Sequence, residues 1–142
     1  MVTKQETFEE VEKAFGRVPS WLREVPDSAV ESVWGLMRDF YLAETSIPNK
    51  YKELIGVAVS GATRCKYCAL FHTEAAKLYG ATANEIAEAS LMGGITMQLS
   101  TFINAQQTDY EQFRRETADI VAYVKKTAKP MERKPGTVQA HA

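Results

Sequence analysis

The sequence has few of the features that mark membrane-bound, exported or nucleic-acid-binding proteins. No apolar run approaches the length of a membrane span. The N-terminus, MVTKQETFEE, has acidic side chains where a signal peptide would need an apolar stretch. The net charge of −1 provides no field that would attract nucleic acid or anionic lipid. We therefore expect no nucleic-acid partner, no membrane association and a cytoplasmic location.

Strand-like patterns are missing as well. No segment shows the sustained alternation of apolar and polar residues that a half-buried strand requires, whereas apolar residues recur at helical spacing along the chain. The sequence therefore predicts an all-α fold. Its 142 residues match the length of one domain, which we place at residues 1–128. The segment 129–142 has prolines, charges and little to bury, so it is predicted to be a flexible tail.

Caps and helix breakers divide this helical pattern. Thr7 is expected to cap the first helix and Gly16 to end it, and Thr63 is expected to cap the helix that contains the cysteines. The first predicted helices are residues 8–15, a short helical turn after Pro19, residues 28–43 after Asp27, residues 50–62, and a helix from Thr63 to Tyr79. The next helix begins after Thr82 and ends at Gly93-Gly94, and another covers residues 95–106. A capping box from Thr108 to Glu111 begins the last predicted helix, which runs through Val124.

Cysteine is scarce, and the two cysteines lie together. Cys65 and Cys68 are three residues apart, and His72 follows four residues after the second. On an α-helix these side chains share one face within roughly 60°. Cα atoms three residues apart in a helix are separated by roughly 5 Å, which permits a disulfide. Because His72 lies one turn from Cys68, where it is placed to take a thiol proton, Cys68 is a candidate nucleophile.

Two other interpretations of this motif stay open. The cysteines can be small buried hydrophobic residues, or they can form a zinc site with His72 and Glu53. Structural zinc sites usually draw their remaining ligands from a distant second cluster, which this chain lacks. Taken alone, Glu53 is expected to be a solvated carboxylate in the first turn of its helix, and Tyr67 is expected to make ordinary packing contacts. Redox chemistry is preferred, since clustering a histidine with two thiols has little packing value.

The spacing of these residues is that of a known family. Eleven residues separate Glu53 from Cys65, and the segment Cys65-Lys66-Tyr67-Cys68 is followed by three residues and His72. This pattern, within residues 50–99, resembles the alkylhydroperoxidase AhpD-like branch of the carboxymuconolactone decarboxylase family. The resemblance implies an all-helical bundle that assembles into trimers or hexamers and reduces hydroperoxides through a two-cysteine cycle. A structural or metal-binding oligomer, and a decarboxylase on the same fold, are the alternatives.

The resemblance also implies a role for each residue. Cys68 corresponds to the peroxidatic thiol that attacks the distal peroxide oxygen, and Cys65 to the thiol that then forms the disulfide. His72 would relay the proton of Cys68, with Glu53 at the acid/base end of the relay. A dithiol reductant, in the best-known members a lipoyl group on a partner protein, would regenerate the thiols. We expect no metal and no bound cofactor.

Two observations stand against a simple transfer of these roles. Cys65 lies closer to the helix N-terminus, whose dipole would make it the more acidic thiol. We still assign peroxide attack to Cys68, because His72 is its neighbour and the family places the peroxidatic thiol there. Tyr67 stands where the founding alkylhydroperoxidases have a second histidine, and a phenol does not shuttle protons near neutrality as imidazole does.

The substrate and the assembly are predicted only by class. Apolar residues expected near the motif, such as Leu70, Phe71, Ile95 and Phe102, favour a site that accepts organic hydroperoxides. An oligomer is expected because several helix faces are apolar and because the N-terminal arm has few partners within one chain.

Overall fold

The computed structural model describes residues 2–127 of the chain. Within these residues the regular elements are all helical, so the prediction of an all-α fold is confirmed. They are α1 (Lys4–Phe15), α2 (Ser20–Arg23), α3 (Asp27–Leu36), a π-helical segment (Met37–Tyr41), α4 (Asn49–Thr63), α5 (Lys66–Leu78), α6 (Ala83–Ala105) and α7 (Tyr110–Thr127). None of these helices is both long enough and apolar enough to cross a bilayer.

The chain divides into two compact units, Met1–Gln98 and Leu99–Ala142, with the boundary inside α6. The first unit contains all the residues of the cysteine motif and Glu53. The interpretation of residues 1–128 as one domain stays a prediction. The predicted tail, residues 129–142, lies outside the described residues.

The N-terminal helix begins earlier than the sequence predicted. Thr3, and not Thr7, is the N-cap of α1, and it forms a capping box with Glu6. Thr7 is buried inside the helix, and its hydroxyl donates to Thr3 O at 3.0 Å. The expected end at Gly16 is confirmed, because this residue adopts the left-handed conformation, with φ of 73°.

The N-terminal arm builds a hydrophobic core with α3. Its buried members are Val11, Val18, Leu22, Val30 and Trp34. Phe15 packs edge-on against Trp34 with ring centroids 5.5 Å apart. The expectation that this arm has few partners within one chain was therefore wrong, because α1, α2 and α3 bury one another.

The long helix predicted behind Asp27 changes its geometry part-way. It begins at Asp27 itself, after Pro26, and gives way to the π-helical segment at Met37. Two side chains of α4 hold the backbone at the end of this region. Asn49 Nδ2 donates to Leu42 O at 2.8 Å, and Lys52 Nζ donates to the carbonyl oxygens of Phe40 and Ala43 at 2.8 and 2.6 Å. The π segment is thereby anchored to the first turns of α4.

The predicted break at Gly93-Gly94 is absent, since α6 runs without interruption from Ala83 to Ala105. The expected capping box of Thr82 with Glu85 is present at its start. Gly93 has a different function from the one predicted: a Cβ at this position would lie 2.6 Å from Ala58 O. Glycine therefore allows α6 to approach the backbone of α4 closely.

The second unit is described over residues 99–127. Its helix α7 begins behind Asp109, whose carboxylate accepts from the Gln112 backbone N–H at 2.6 Å. The predicted box from Thr108 to Glu111 was wrong by one residue, because Asp109 provides the capping oxygen. Large apolar side chains of α7 are exposed in the single chain, among them Phe113, Ile120, Val121 and Val124.

Candidate active site

The two cysteines lie at the junction between α4 and α5. The turn consists of Arg64, which adopts the left-handed conformation with φ of 57°, and Cys65. The expectation that Thr63 caps this helix was wrong: Thr63 is the last residue of α4, where its hydroxyl donates to Val59 O at 2.9 Å, and Cys65 itself is the N-cap of α5. Its Sγ accepts a hydrogen bond from the Cys68 backbone N–H at 3.2 Å. A sulfur atom thus occupies the place that a serine or aspartate oxygen usually takes.

Cys65 and Cys68 are joined by a disulfide, with their Cα atoms 5.4 Å apart. This separation agrees with the distance of roughly 5 Å expected from the spacing. Cys68 is in the first turn of α5 and exposed, whereas Cys65 is partly buried and precedes the helix. The predicted sharing of one helical face therefore holds for Cys68 and His72 only, which are one turn apart on α5.

Glu53 lies in the second turn of α4 and is only 1% exposed. The expectation of a solvated carboxylate in the first turn was wrong, because Glu53 lies on the buried face of α4 together with Asn49, Val57 and Ser60. Its Oε2 lies 2.8 Å from His72 Nδ1, and it accepts a hydrogen bond from Tyr41 Oη at 2.8 Å. Tyr41 Oη is in turn 2.9 Å from His72 Nδ1. We call these three residues the acid/base trio.

Sequence reasoning missed Tyr41. It stands at three- and four-residue spacing from other apolar residues, and tyrosine at such a position is usually a packing residue. The signal available in the sequence was the phenol itself, because a buried hydroxyl needs a polar partner. Burial and the neighbouring Glu53 carboxylate raise the pKa of Tyr41 well above its usual value. The phenol is therefore protonated at neutral pH and acts as a donor.

Gly56 is the second residue that sequence reasoning missed. A Cβ at this position would overlap the His72 ring atoms Nδ1, Cε1 and Cγ. The ring thus lies directly on the backbone of α4, one turn after Glu53, in space that only glycine leaves open. Phe71 and Tyr41 both pack edge-on against the same ring, with centroids 5.7 and 5.9 Å from that of His72.

The partners of His72 differ from the predicted direct contact with Cys68. Among the described residues, the imidazole makes its hydrogen bonds to Glu53 and Tyr41, both through Nδ1, and neither sulfur is a partner. The pairing with Glu53 is largely shielded from water, since the His72 side chain is 19% exposed and that of Glu53 2%. In a neutral imidazole with Nδ1 hydrogen-bonded in this way, Nε2 is the nitrogen left for proton exchange.

An open cavity of about 810 Å³ adjoins this region. Its walls are mostly apolar and include Phe15, Leu42, Leu70, Phe71 and Leu78, while Glu53 contributes a polar group. Leu70 and Phe71 thus lie near the site as expected, while the expected proximity of Ile95 and Phe102, both on α6, stays a prediction. Tyr67 lines the cavity as well but is 76% exposed, so the ordinary packing expected for it does not occur within one chain.

The structure does not support the interpretation of the cysteines as part of a zinc site. Over residues 2–127, no group of three or more His, Cys, Asp or Glu side chains is arranged to hold a metal ion. Both sulfur atoms are engaged in the disulfide.

Comparison with known proteins decides the family. Residues 29–105, more than half of the chain, match the sequence model of the carboxymuconolactone decarboxylase family. The chain belongs to this family. The matched residues of the family include all three members of the acid/base trio and both cysteines.

Two solved structures of similar fold refine the assignment. The crystal structure of the alkylhydroperoxidase AhpD core from Rhodospirillum rubrum superposes with a TM-score of 0.67 at 26% identity, over 77% of this chain and 84% of that one. A protein from Methanobacterium thermoautotrophicum superposes with a TM-score of 0.54 at 32% identity, over 61% of this chain and 96% of that one. The fold is thus AhpD-like. No curated protein sequence matches the chain.

Proposed function

We propose that this member of the carboxymuconolactone decarboxylase family is a peroxidase that reduces organic hydroperoxides through the Cys65–Cys68 dithiol. The observation that carries the proposal is the pairing of an accessible cysteine couple with a shielded proton-transfer pair on adjoining helices. The couple is closed as a disulfide across three residues. His72, one turn beyond Cys68, is held by the Glu53 carboxylate at 2.8 Å.

The reaction begins with the reduced pair. The thiolate of Cys68 attacks the distal oxygen of the hydroperoxide, the O–O bond breaks, and the leaving alkoxide takes the proton that His72 received from Cys68. Cys68 becomes a sulfenic acid. The Cys65 sulfur then attacks Cys68 Sγ, the S–O bond breaks, and the hydroxyl leaves as water with the Cys65 proton. One hydroperoxide and two thiols yield one alcohol, one water and one disulfide.

The two sulfurs are unequal in ways that support this order. Cys68 is the exposed one and lies on the same helix as His72, so it is the better placed to meet a peroxide. Cys65 is partly buried, and its sulfur accepts the Cys68 backbone N–H, which favours its thiolate. A stabilised thiolate is a good leaving group, so Cys65 is suited to the step in which the disulfide is reopened.

The cavity beside Glu53 supports the substrate class. A volume of about 810 Å³ with mostly apolar walls suits the organic substituent of an alkyl or aryl hydroperoxide. Hydrogen peroxide has no such substituent and would gain nothing from these walls. We therefore place organic hydroperoxides before hydrogen peroxide as substrates.

The disulfide must be reduced by an external dithiol. The exposed position of Cys68 admits attack by a thiolate on the end of a flexible chain, and a lipoyl group on a partner protein is the reductant we propose. We further propose that the chain works as a homo-oligomer, a trimer or a hexamer, in the cytoplasm. Neither α6 nor α7 contains a buried residue in the single chain, and both have exposed large apolar side chains.

The proposal is tested by titrating free thiols before and after one equivalent of cumene hydroperoxide, with the intact mass recorded at each step. We expect two thiols to disappear with a mass decrease of about two hydrogens, together with one equivalent of cumyl alcohol. A chain with both cysteines changed to serine is the control and should consume no peroxide. Survival of both thiols in excess peroxide would reject the proposal and direct attention to non-redox substrates, including lactones.

A further inference from the structure

The acid/base trio contains one residue that the cysteine motif does not predict. Tyr41 is provided by the π-helical segment, far from the motif in sequence, yet its Oη lies within 2.9 Å of both Glu53 Oε2 and His72 Nδ1. Glu53 Oε2 and His72 Nδ1 are themselves 2.8 Å apart. The three polar atoms form a closed triangle, so each of them constrains the other two.

Tyr41 is held in place by the same helix that carries Glu53. Lys52 Nζ donates to Phe40 O at 2.8 Å, and Asn49 Nδ2 donates to Leu42 O at 2.8 Å. The backbone on both sides of Tyr41 is thus tied to α4. A π-helical turn widens a helix locally and is frequently found at functional sites, and here it directs one hydroxyl at one buried carboxylate.

When Glu53 is ionised, the hydrogen bonds among Tyr41 Oη, His72 Nδ1 and Glu53 Oε2 can be arranged in one way only. Tyr41 has a single hydroxyl proton, and its raised pKa keeps that proton in place at neutral pH. If His72 Nδ1 had no proton, its lone pair would face a carboxylate oxygen at 2.8 Å, which is repulsive. Nδ1–H therefore donates to Glu53, and the Tyr41 hydroxyl donates to the same oxygen. The remaining lone pair of the ring is on Nε2.

We propose that Tyr41 is a positioning residue of the dithiol site: its hydroxyl holds Glu53 and His72 in the arrangement that leaves His72 Nε2 free to take the proton of Cys68. A buried carboxylate lacks hydration, and the Tyr41 hydroxyl supplies one of the two hydrogen bonds that Oε2 accepts. Without it, the Glu53–His72 pair would bind an additional proton more readily. The pair would then already hold a proton and could not accept the one from Cys68, so the attack of Cys68 on the peroxide would be slower.

Within residues 2–127, two titratable groups make hydrogen bonds to Tyr41: Glu53 from α4 and His72 from α5. Tyr79, the residue after α5, adds to the raised pKa of Tyr41. Lys52 is directed at backbone carbonyl oxygens. The partners through which Tyr41 can act on the site are therefore Glu53 and His72.

The first test follows the His72 ring by nitrogen-15 NMR as a function of pH in the oxidised full-length chain, in which no thiol titrates. The chain has two histidines, so His141→Gln assigns the remaining ring signals to His72. We expect the Nδ1–H tautomer, and we expect Tyr41→Phe to move the titration upward by about one pH unit, the effect of losing one hydrogen bond to a charged group. Tyr51→Phe, a half-exposed tyrosine of α4, is the matched control and should leave the titration unchanged.

The second test asks whether Tyr41 acts through Glu53. In a Glu53→Gln chain, the additional change Tyr41→Phe should no longer move the His72 titration. An unchanged titration in Tyr41→Phe alone, or an equal movement with and without Glu53, would overturn the proposal.

The kinetic consequence rests on the proposed peroxidase function. The acidic limb of the kcat/KM profile should move to higher pH in Tyr41→Phe, whereas a loss of rate that is equal at all pH values would indicate a purely structural role and count against the proposal. If the chain reduces no peroxide but the NMR titrations move as expected, the proposed function fails and the role of Tyr41 stands.

Discussion

The two ends of the candidate site differ in their exposure to solvent. The sulfur end is exposed at Cys68 and lies at a helix start, where the proposed peroxide and reductant would have access to it. The acid/base end is shielded, with Glu53 1% exposed and hydrogen-bonded on the side of its Oε2 by two partners. The difference fits the proposed cycle, in which the cysteines need access whereas Glu53 and His72 need a fixed geometry in a place with little water.

The largest effect is expected at the sulfur end. Cys68→Ser should abolish peroxide consumption, because a hydroxyl in place of the thiolate does not attack an O–O bond at neutral pH. Cys65→Ser should still react once and stop at a Cys68 sulfenic acid, which a dimedone-type probe labels and mass spectrometry locates. Labelling of Cys65 in the Cys68→Ser chain would reverse the two roles and break the distinction between an accessible attacking sulfur and a partly buried one.

A smaller loss is expected from Gly56→Ala at the acid/base end. The added methyl group would overlap the His72 ring, which must move away from Glu53. Misplacement of a catalytic group by about 1 Å costs about 10²-fold in rate, so we expect a drop of that order in kcat/KM for cumene hydroperoxide. The disulfide should still form slowly, because both cysteines are intact.

Gly61→Ala is the matched control for this prediction. Gly61 is on the same helix, and a Cβ there would meet no atom within 4 Å. Alanine in a helix interior stabilises by roughly 0.5–1 kcal/mol relative to glycine, so this variant should keep its activity and melt at the same temperature or higher. Equal losses in the two variants would show that α4 tolerates no substitution and that the position of the ring is not the cause.

The smallest effect is expected from Lys52→Met. This change removes the two hydrogen bonds to the carbonyl oxygens of Phe40 and Ala43, and it loosens the backbone that presents Tyr41. We expect a loss of about 1–2 kcal/mol in the free energy of unfolding, measured with urea, and a fall of a few-fold in kcat/KM.

Lys77→Met is the comparison for this change. Lys77 pairs with Glu74 in an exposed i,i+3 ion pair, which contributes little to stability. Its unfolding free energy and kcat/KM should stay within error of the unchanged chain. If Lys52→Met behaves in the same way, the anchoring of the π segment does not matter to the site.

The sequence predicted the two ends of the site unequally, for a physical reason. Cys65, Cys68 and His72 lie within eight residues, so spacing alone indicates that they are neighbours. The burial of Glu53 depends on which face of α4 is packed, and that face consists mostly of polar residues, Asn49, Glu53 and Ser60 beside Val57, which apolar spacing does not mark. The roles of Tyr41 and Gly56 depend on contacts between different helices. The spacing of apolar residues along the chain does not reveal such contacts.

The same distinction applies to the fold. The all-α class and the stop at Gly16 follow from local chemistry, as this glycine adopts positive φ. Gly93-Gly94 was interpreted by the same local rule and the prediction was wrong, because Gly93 is needed for the close approach to Ala58 O and does not end the helix. Glycine in a sequence does not reveal whether it serves a turn or a contact.

The capping position of Cys65 has a consequence for chemical labelling. In the reduced chain, a reagent that alkylates Cys65 would modify the atom that accepts the Cys68 backbone N–H in the first turn of α5, and loss of an N-cap costs about 1 kcal/mol. Alkylation of the exposed Cys68 removes no such cap. A thiol-blocking reagent would therefore distinguish the two sulfurs by the melting temperature of the product as well as by the site of the added mass.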